Sequence, residues 1–182
     1  MDIFLVRHGE AAASWGESAD PGLSELGWRQ AECAADALES VLPASAQLIS
    51  SPLQRAQETA EPLAKRLGVD AKIDPVFREV PSPVPLEKRQ AWLREFMQQE
   101  WREVGDDLTG WRHAAHDAAL ALEVPTVVFT HFLVLNAVVG VIEDCPSVLR
   151  FWPDNGSVTH LRRNGDALEL VKLGEQIKTH VN

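Results

Sequence analysis

Residues 124–142 read VPTVVFTHFLVLNAVVGVI and decide the fold class. The continuous apolar run 125–130 is typical of a central parallel strand, and a helix over 132–143 follows it directly. The stretch is long and apolar enough to imitate a membrane span. It is interrupted by polar residues and a proline, so we interpret it as a buried strand running into a buried helix. The interrupting residues are Pro125, Thr126, Thr130, His131 and Asn136.

Outward from this stretch, short β-type runs alternate with segments of helical spacing. Strands are predicted at 2–6, 48–50 and 71–73, and helices at 26–41, 52–67, 86–101 and 108–122. Ser24 and Ser51 are predicted N-caps, with Pro52 at the first helical position after Ser51. Runs 157–163 and 166–173 flank Asn164-Gly165, a strong hairpin signal. The alternation predicts an α/β sandwich with a mainly parallel sheet and an antiparallel C-terminal edge.

Composition narrows the class of protein. The 182 residues predict one domain, and a net charge of −10 argues against nucleic-acid and anionic-membrane partners. The two cysteines, Cys33 and Cys145, form no disulfide framework and no zinc pattern, which fits reduced thiols and a cytoplasmic location. The first residues lack the basic region and long apolar run of a secretory signal.

Charged and polar side chains follow three of the predicted strands. Arg7 and His8 come after the first strand, Arg55 lies one turn beyond the second, and His131 ends the central strand. Ligands of such sheets bind beyond the carboxyl ends of the strands. Two guanidinium groups suit a phosphate or carboxylate, and the helix start near Pro52 adds N–H groups. A neutral histidine beside that anion can attack phosphorus, and neighbouring cations lower its pKa.

Each of these side chains also has an ordinary structural interpretation. Arg55 taken alone is a surface charge on a helix, and His131 taken alone is a buried histidine satisfied by the backbone. It is their joint position at one edge of the sheet that favours a functional site.

Six motifs, in order along most of the chain, resemble the histidine phosphatase superfamily, also called phosphoglycerate-mutase-like, in its short single-domain phosphatase branch. The first and third are the most specific. The motifs are LVRHGE at 5–10, DPGLSELGWRQA at 20–31, SSPLQRAQETA at 50–60, Arg78-Glu79, VVFTH at 127–131 and NGSV at 155–158.

The resemblance implies a role for each matching residue. His8 is the nucleophile that becomes phosphohistidine, Glu79 is the general acid, and Arg7, Arg55 and His131 bind the phosphoryl oxygens. It also implies a three-layer α/β/α sandwich over residues 1–182, with a short cap-like helical segment around 80–112. No metal and no cofactor are expected, because two arginines and a protonated His131 supply the charge that magnesium would.

The chain departs from the family pattern at three places. Phe132 stands where glycine often follows the second histidine. Ala11 and Ser14 replace the usual threonine and asparagine, and Ser14 is a candidate phosphate contact. Glu79 is followed by a proline-rich segment, which makes Glu87 the alternative acid.

The resemblance therefore implies a phosphatase acting on phosphomonoesters or on a protein phosphohistidine. A phosphoglycerate-type mutase is the alternative, although the short segment after Glu79 holds only Lys88-Arg89 as paired basic residues and favours hydrolysis. A non-catalytic phosphate-binding or scaffold protein is the alternative from another class. The expected partner is a phosphorylated small molecule or a phosphohistidine protein, and the pattern favours no particular oligomeric state.

Trp92, Trp101 and Trp111 have the spacing of core residues on their helices. The alternative interpretation is that some of them form a cap that faces the substrate.

Overall fold

Six strands form a single mixed sheet that has helices on both faces. The computed structural model describes residues 1–13, 18 and 20–177. The sheet order is β3-β2-β4-β1-β5-β6. The strands are β1 Asp2–Arg7, β2 Gln47–Ser50, β3 Ala71–Ile73, β4 Thr126–Thr130, β5 Val158–Asn164 and β6 Ala167–Lys172. The helices are α1 Glu25–Glu39, α2 Gln54–Leu67, α3 Leu86–Phe96, α4 Asp106–Leu120 and α5 Phe132–Ile142.

Strand β4 lies at the centre of the parallel part of the sheet, as its apolar sequence predicts. It pairs in parallel with β1 on one side and β2 on the other, and β2 pairs in parallel with β3. Strands β5 and β6 are antiparallel to β1 and to each other. The carboxyl ends of β1, β2 and β4 therefore meet at one edge of the sheet.

The helices form two layers, which completes the three-layer α/β/α sandwich. Helices α1 and α2 pack through one apolar cluster on one face, and α4 and α5 pack through a second cluster on the other. Helix α3 and Trp101 join a third cluster with Phe132 and Leu133 at the start of α5. No helix in the described ranges is long and apolar enough to cross a membrane.

Several predicted boundaries differ from the structure, and the contacts at three of them are informative. Helix α2 begins at Gln54, because Ser51 still donates its amide to Phe129 O across the sheet. The predicted helix 86–101 ends at Phe96, since the chain then bridges to residues 146–148 and Trp101 lies in a short 3₁₀ turn. The hairpin turn is Gly165-Asp166, shifted by one residue, with Asn164 still paired to Ala167.

Two predicted helix ends are confirmed. The Ser24 side chain accepts a hydrogen bond from the Gly27 amide and caps α1. Gly68 ends α2 with a φ of 66°, a left-handed conformation that glycine adopts without steric cost.

Candidate active site

The carboxyl edge of the sheet gathers five buried ionisable side chains. Arg7 is the last residue of β1 and His8 follows it, while Arg55 lies in the first turn of α2. Glu79 comes shortly after a 3₁₀ turn, and His131 is the N-cap of α5. All five are at least nine-tenths buried, with exposures of 9%, 4%, 5%, 7% and 0% for Arg7, His8, Arg55, Glu79 and His131.

The His8 ring is fixed in one tautomer by its two hydrogen bonds. Its Nδ1 lies 2.7 Å from Gly9 O, and its Nε2 lies 3.1 Å from Arg55 Nε. A guanidinium N–H can only donate, so Nε2 accepts and Nδ1–H donates to the carbonyl. Burial lowers the pKa of His8 well below its ordinary value, and Arg55 and Arg7 lower it further. His8 is therefore neutral, with the Nε2 lone pair directed into the cluster.

His131 lies beside His8, with 5.2 Å between the ring centroids. Its Nε2 is 2.6 Å from Ser51 Oγ, and its Nδ1 has no partner among the described residues. Burial lowers the pKa of His131 well below its ordinary value, and His8 and Arg55 add to this effect. In the free protein this burial favours the neutral form of His131, whereas the sequence analysis expects a protonated one.

Ser51 belongs to this cluster, and the sequence interpretation of it as only a helix cap missed that role. Its hydroxyl meets His131 and only weakly accepts from the Leu53 amide, at 3.3 Å. The sequence could have indicated this role of Ser51. It directly follows β2, and β2 pairs with β4, whose end carries His131. The Gln54 amide donates to Asp20, so neither it nor the Leu53 amide is free for an anion.

Arg7 is held between a carbonyl and an aromatic ring. Its NH1 donates to Pro153 O at 2.8 Å, and its Cζ lies 5.1 Å from the centroid of the Phe132 ring. Burial lowers the pKa of Arg7 to about 10, so the guanidinium stays charged at neutral pH. Its Nε has no partner among the described residues. Phe132, the residue in place of the family's glycine, thus forms a wall against which Arg7 stacks.

Glu79 is buried with both carboxyl oxygens engaged by the backbone. Oε1 accepts from the Val80 amide at 3.0 Å, and Oε2 accepts from the Leu133 amide at 3.4 Å. Burial raises the pKa of Glu79, against the opposing effects of these bonds and of Arg55. The alternative acid, Glu87, is exposed in the first turn of α3. Ser14, the candidate phosphate contact, lies outside the described residues.

The backbone around His8 is supported from two sides. The Gly9 amide donates to Thr59 Oγ1 at 3.0 Å, and the Asn155 side chain donates to His8 O at 3.1 Å. The Gly156 amide donates to Arg7 O at 3.0 Å. Residues 153–157 therefore hold the end of β1 in place, in addition to leading into β5.

This arrangement is suited to a dianion. Arg7 and Arg55 place two guanidinium groups beside an imidazole whose Nε2 lone pair accepts from Arg55. Guanidinium groups bind phosphoryl oxygens through directed hydrogen bonds, and burial strengthens them. A phosphate held by these two arginines would lie beside the Nε2 of His8.

Comparison with known proteins agrees with this geometry. Residues 3–176 match the histidine phosphatase superfamily (branch 1). A probable phosphoglycerate mutase of Yersinia pestis is 29% identical over 168 residues, covering 81% of this chain and 77% of that protein. Mycobacterial relatives match with 40% identity over 76 residues, and this chain spans only 21% of their length.

Two solved structures share the fold. A mycobacterial glucosyl-3-phosphoglycerate phosphatase complexed with VO3 has a TM-score of 0.70 and 22% identity, covering 97% of this chain and 99% of that one. A phosphoserine phosphatase of Entamoeba histolytica complexed with 3-phosphoglyceric acid has a TM-score of 0.75 and 17% identity, covering 96% and 97%. The family match extends over nearly the whole chain, and the chain therefore belongs to the histidine phosphatase superfamily.

Proposed function

We propose that the chain is a phosphatase that hydrolyses phosphomonoesters, or a protein phosphohistidine, through a covalent phosphohistidine on His8. The observation that carries the proposal is the pair of hydrogen bonds on the His8 ring. They leave Nε2 as a neutral acceptor beside Arg55 rather than as a protonated group. Superfamily membership and the phosphatase names of the neighbours support the same reaction class.

The first step transfers the phosphoryl group to the protein. The Nε2 lone pair of His8 attacks phosphorus, the bond from phosphorus to the leaving oxygen breaks, and that oxygen takes a proton from Glu79. In the second step, water attacks phosphorus and gives a proton to the Glu79 carboxylate. The phosphorus–nitrogen bond breaks, its electron pair returns to Nε2, and inorganic phosphate leaves.

Arg7 and Arg55 stabilise the charge on the phosphoryl oxygens in this proposal. Both are buried, where a fixed positive charge acts through a low dielectric. Ser51 holds His131 through Nε2, and in this proposal the unpartnered Nδ1 of His131 donates to the same oxygens. A bound dianion would raise the pKa of His131, so it becomes a stronger donor once substrate is present.

The test of the nucleophile is a rapid quench with a ³²P-labelled phosphomonoester. We expect an acid-labile, base-stable adduct on the wild-type protein and none on His8→Asn. The exposed His113 provides the matched control, since His113→Asn should label like the wild type. An acid-stable adduct would indicate a seryl ester instead and would contradict the proposal.

Glu79 is tested by comparing leaving groups. An alkoxide needs a proton whereas p-nitrophenolate does not, so Glu79→Gln should lose roughly 10²- to 10⁴-fold on an alkyl phosphate. The loss on p-nitrophenyl phosphate should be much smaller. Glu87→Gln is the control and should change neither rate. Equal losses on both substrates would show that Glu79 positions the site rather than donating a proton.

The reaction is proposed to need no metal ion. Activity should be unchanged in EDTA and inhibited by vanadate, which adopts a geometry resembling the phosphoryl transition state and should bind more tightly than phosphate. Activity lost in EDTA and restored by magnesium would contradict this part of the proposal.

The name of the Yersinia pestis relative favours phosphoglycerate mutase as the second candidate. The two functions differ in the fate of labelled 3-phosphoglycerate. With a bisphosphoglycerate present, a mutase forms 2-phosphoglycerate, whereas a phosphatase releases phosphate. We expect phosphate release to dominate, because the segment between Glu79 and β4 is short and leaves the phosphoenzyme open to water.

A further inference from the structure

The Thr59 side chain lies fully buried on α2, one helical turn after Arg55. Its hydroxyl donates to Arg55 O at 2.6 Å and accepts from the Gly9 amide at 3.0 Å. The first bond is the usual contact of a helical threonine with the carbonyl four residues earlier. The second bond reaches from α2 to the loop after β1, so the hydroxyl joins two separate parts of the candidate site.

Four hydrogen bonds form a closed ring that includes the candidate nucleophile. The His8 Nδ1–H donates to Gly9 O, and Arg55 Nε donates to His8 Nε2. The two bonds of the Thr59 hydroxyl complete the ring, because they connect the backbone of Gly9 to the backbone of Arg55. Within the described part of the chain, that hydroxyl forms no hydrogen bond with the His8 ring or the Arg55 guanidinium, so its effect on them passes through the backbone.

The peptide group between His8 and Gly9 is held at both ends. Its carbonyl, His8 O, accepts from the Asn155 side chain at 3.1 Å and from the Gly156 amide at 3.3 Å. Its N–H, the Gly9 amide, donates to Thr59. Since a peptide group is planar, these bonds fix the orientation of the plane that precedes Gly9 O. The position of Gly9 O in turn sets the tautomer and the direction of the His8 ring.

The Gly9 backbone is also in close contact with α1. A Cβ placed on Gly9 would overlap the carbonyl oxygen of Gly27. Without the Thr59 hydroxyl, the buried Gly9 amide would lose its partner, and an unpaired buried donor costs free energy. To reach another acceptor, the His8–Gly9 peptide would have to rotate, and the His8 ring would move with it.

We propose that Thr59 is a positioning residue for the His8 nucleophile. Its hydroxyl holds the His8–Gly9 peptide against the first turn of α2, which carries Arg55, and so keeps the proton of the ring on Nδ1 and the lone pair on Nε2. The inference rests on the proposed function and goes beyond it, because it assigns a role in the attack on phosphorus to a side chain that bonds only to backbone.

The test compares Thr59→Val, which removes the hydroxyl at nearly constant volume, with Thr59→Ser, which keeps it. With enzyme in excess over p-nitrophenyl phosphate, release of p-nitrophenolate reports attack by His8, because this leaving group needs no proton from Glu79. We expect the rate of release to fall roughly 10- to 100-fold in Thr59→Val, as for one buried donor left unpaired. The Kd of inorganic phosphate should change little, since Arg7 and Arg55 remain. The rate in Thr59→Ser should stay close to that of the wild type.

Thr126→Val is the matched control for the loss of a buried threonine hydroxyl. Thr126 is equally buried, and its Oγ1 also joins two partners, Gln47 Nε2 and Val124 O, but at the opposite end of β4 from His131. This variant should lose stability in urea melts without slowing the release of p-nitrophenolate. Thr59→Ala also removes the hydroxyl and has a higher helix propensity, so it provides the same test if valine at this position unfolds the protein.

A second readout is independent of turnover. In ¹⁵N NMR spectra of histidine-labelled protein, the wild-type His8 ring should show a protonated Nδ1 and an unprotonated Nε2, whereas Thr59→Val should show a mixture of tautomers. An unchanged rate of release in Thr59→Val, or equal losses in Thr59→Val and Thr59→Ser, would overturn the positioning role alone. Absence of a phosphohistidine on the wild-type protein would overturn the proposed function, and the tautomer of the ring would still decide whether Thr59 orients His8.

Discussion

At the scale of single residues, the hydrogen bond from Arg55 to His8 places a positive charge directly beside the ring that is the candidate nucleophile. The Arg55 Nε–H donates, at 3.1 Å, to the nitrogen that attacks phosphorus in the proposed reaction. In that reaction this hydrogen bond has to move from His8 to a phosphoryl oxygen. Before that, the bond keeps the ring oriented, and burial together with the charge of Arg55 keeps the pKa of His8 low, so a dianion could replace His8 as the partner of Arg55.

Arg55→Lys should therefore be a severe substitution. Lysine retains the charge, but it lacks the planar fork that contacts His8 and Asp20 from one side chain. We expect kcat/KM to fall by about 2–4 kcal/mol of transition-state stabilisation, as for the loss of an oxyanion donor. Arg66→Lys on the same helix is the control, because Arg66 pairs only with surface acids of α1. A kcat/KM within a few-fold of the wild-type value would show that Arg55 stabilises the fold and not the transition state.

Ser51→Ala tests whether the serine hydroxyl positions His131. Without it, the buried Nε2 of His131 loses its hydrogen-bond partner, and the ring is free to change tautomer. We expect roughly a 10-fold or larger loss in kcat/KM, from the usual cost of one buried unsatisfied group, together with a shifted pH profile. Ser50→Ala is the matched control, since the equally buried Ser50 hydroxyl bonds only to Ser51 O. Similar pH profiles for the two variants would argue against a role through His131.

At the scale of secondary-structure elements, the start of α1 fits against the loop that carries His8. Gly27 and Gly9 pack backbone to backbone, and a Cβ at Gly27 would overlap the Glu10 carbonyl oxygen. Glu10 also accepts hydrogen bonds from Ser24, through both its carbonyl and its carboxylate. Helix α1 is therefore a support for the loop that supplies the Nδ1 partner of His8.

Gly27→Ala should damage both stability and activity. The overlap is with backbone, which cannot rotate away, so we expect a loss of about 1–3 kcal/mol in the free energy of unfolding. The rate should fall as well, because the Gly9 carbonyl that orients His8 has to move. Gly110→Ala in α4 is the control, since open space surrounds that position and alanine stabilises a helix interior by about 0.5–1 kcal/mol there. Denaturant melts and kcat/KM on one substrate decide the comparison.

Elements were easier to predict from the sequence than the contacts between them. The apolar run of β4 and its direct continuation into α5 follow from hydrophobic pattern alone, and so does the order of strands and helices. The start of α2 and the end of α3 depend on partners distant in sequence, namely Phe129 and residues 146–148. A local pattern carries no information about such partners.

The same limit applies to the candidate site. Arg7, His8, Arg55 and His131 could be placed at one edge because strand ends are visible in sequence. The lowered pKa of His131 could not be predicted, since it depends on complete burial and on His8 and Arg55 nearby. The packing of Phe132 against Arg7 depends on how α5 lies beside the end of β1.

At the scale of the whole molecule, the buried histidines of the site should make folding depend on pH. His8 and His131 have a folded-state pKa well below the ordinary value of 6.5. As the pH falls below about 6.5, the unfolded chain binds protons on both and the folded protein does not. Each such proton lowers the free energy of unfolding by about 1.4 kcal/mol per pH unit. The site therefore reduces stability as the medium becomes acidic.

Glu79 changes the free energy of unfolding with pH in the opposite direction over part of the same pH range. Its folded-state pKa is raised above the ordinary 4.5, so the folded protein holds a proton that the unfolded chain has lost. That contribution is fully present below pH 4.5 and declines as the pH rises through the folded-state pKa. It therefore offsets the effect of one histidine between pH 4.5 and that value.

The final prediction isolates His8 by removing Glu79 first. In phosphate-free buffer, Glu79→Gln should lose stability towards pH 5 with a slope approaching about 2.7 kcal/mol per pH unit, the value for two protons. Adding His8→Asn should reduce that slope to about 1.4 kcal/mol per pH unit, since only His131 remains. Urea melts at closely spaced pH values measure both slopes. If the double variant keeps the slope of Glu79→Gln, the pKa of His8 in the folded protein is not lowered below its unfolded-state value. The ring would then be protonated at pH 5 in the folded protein, and that result would contradict the neutral His8 ring that the buried site favours there.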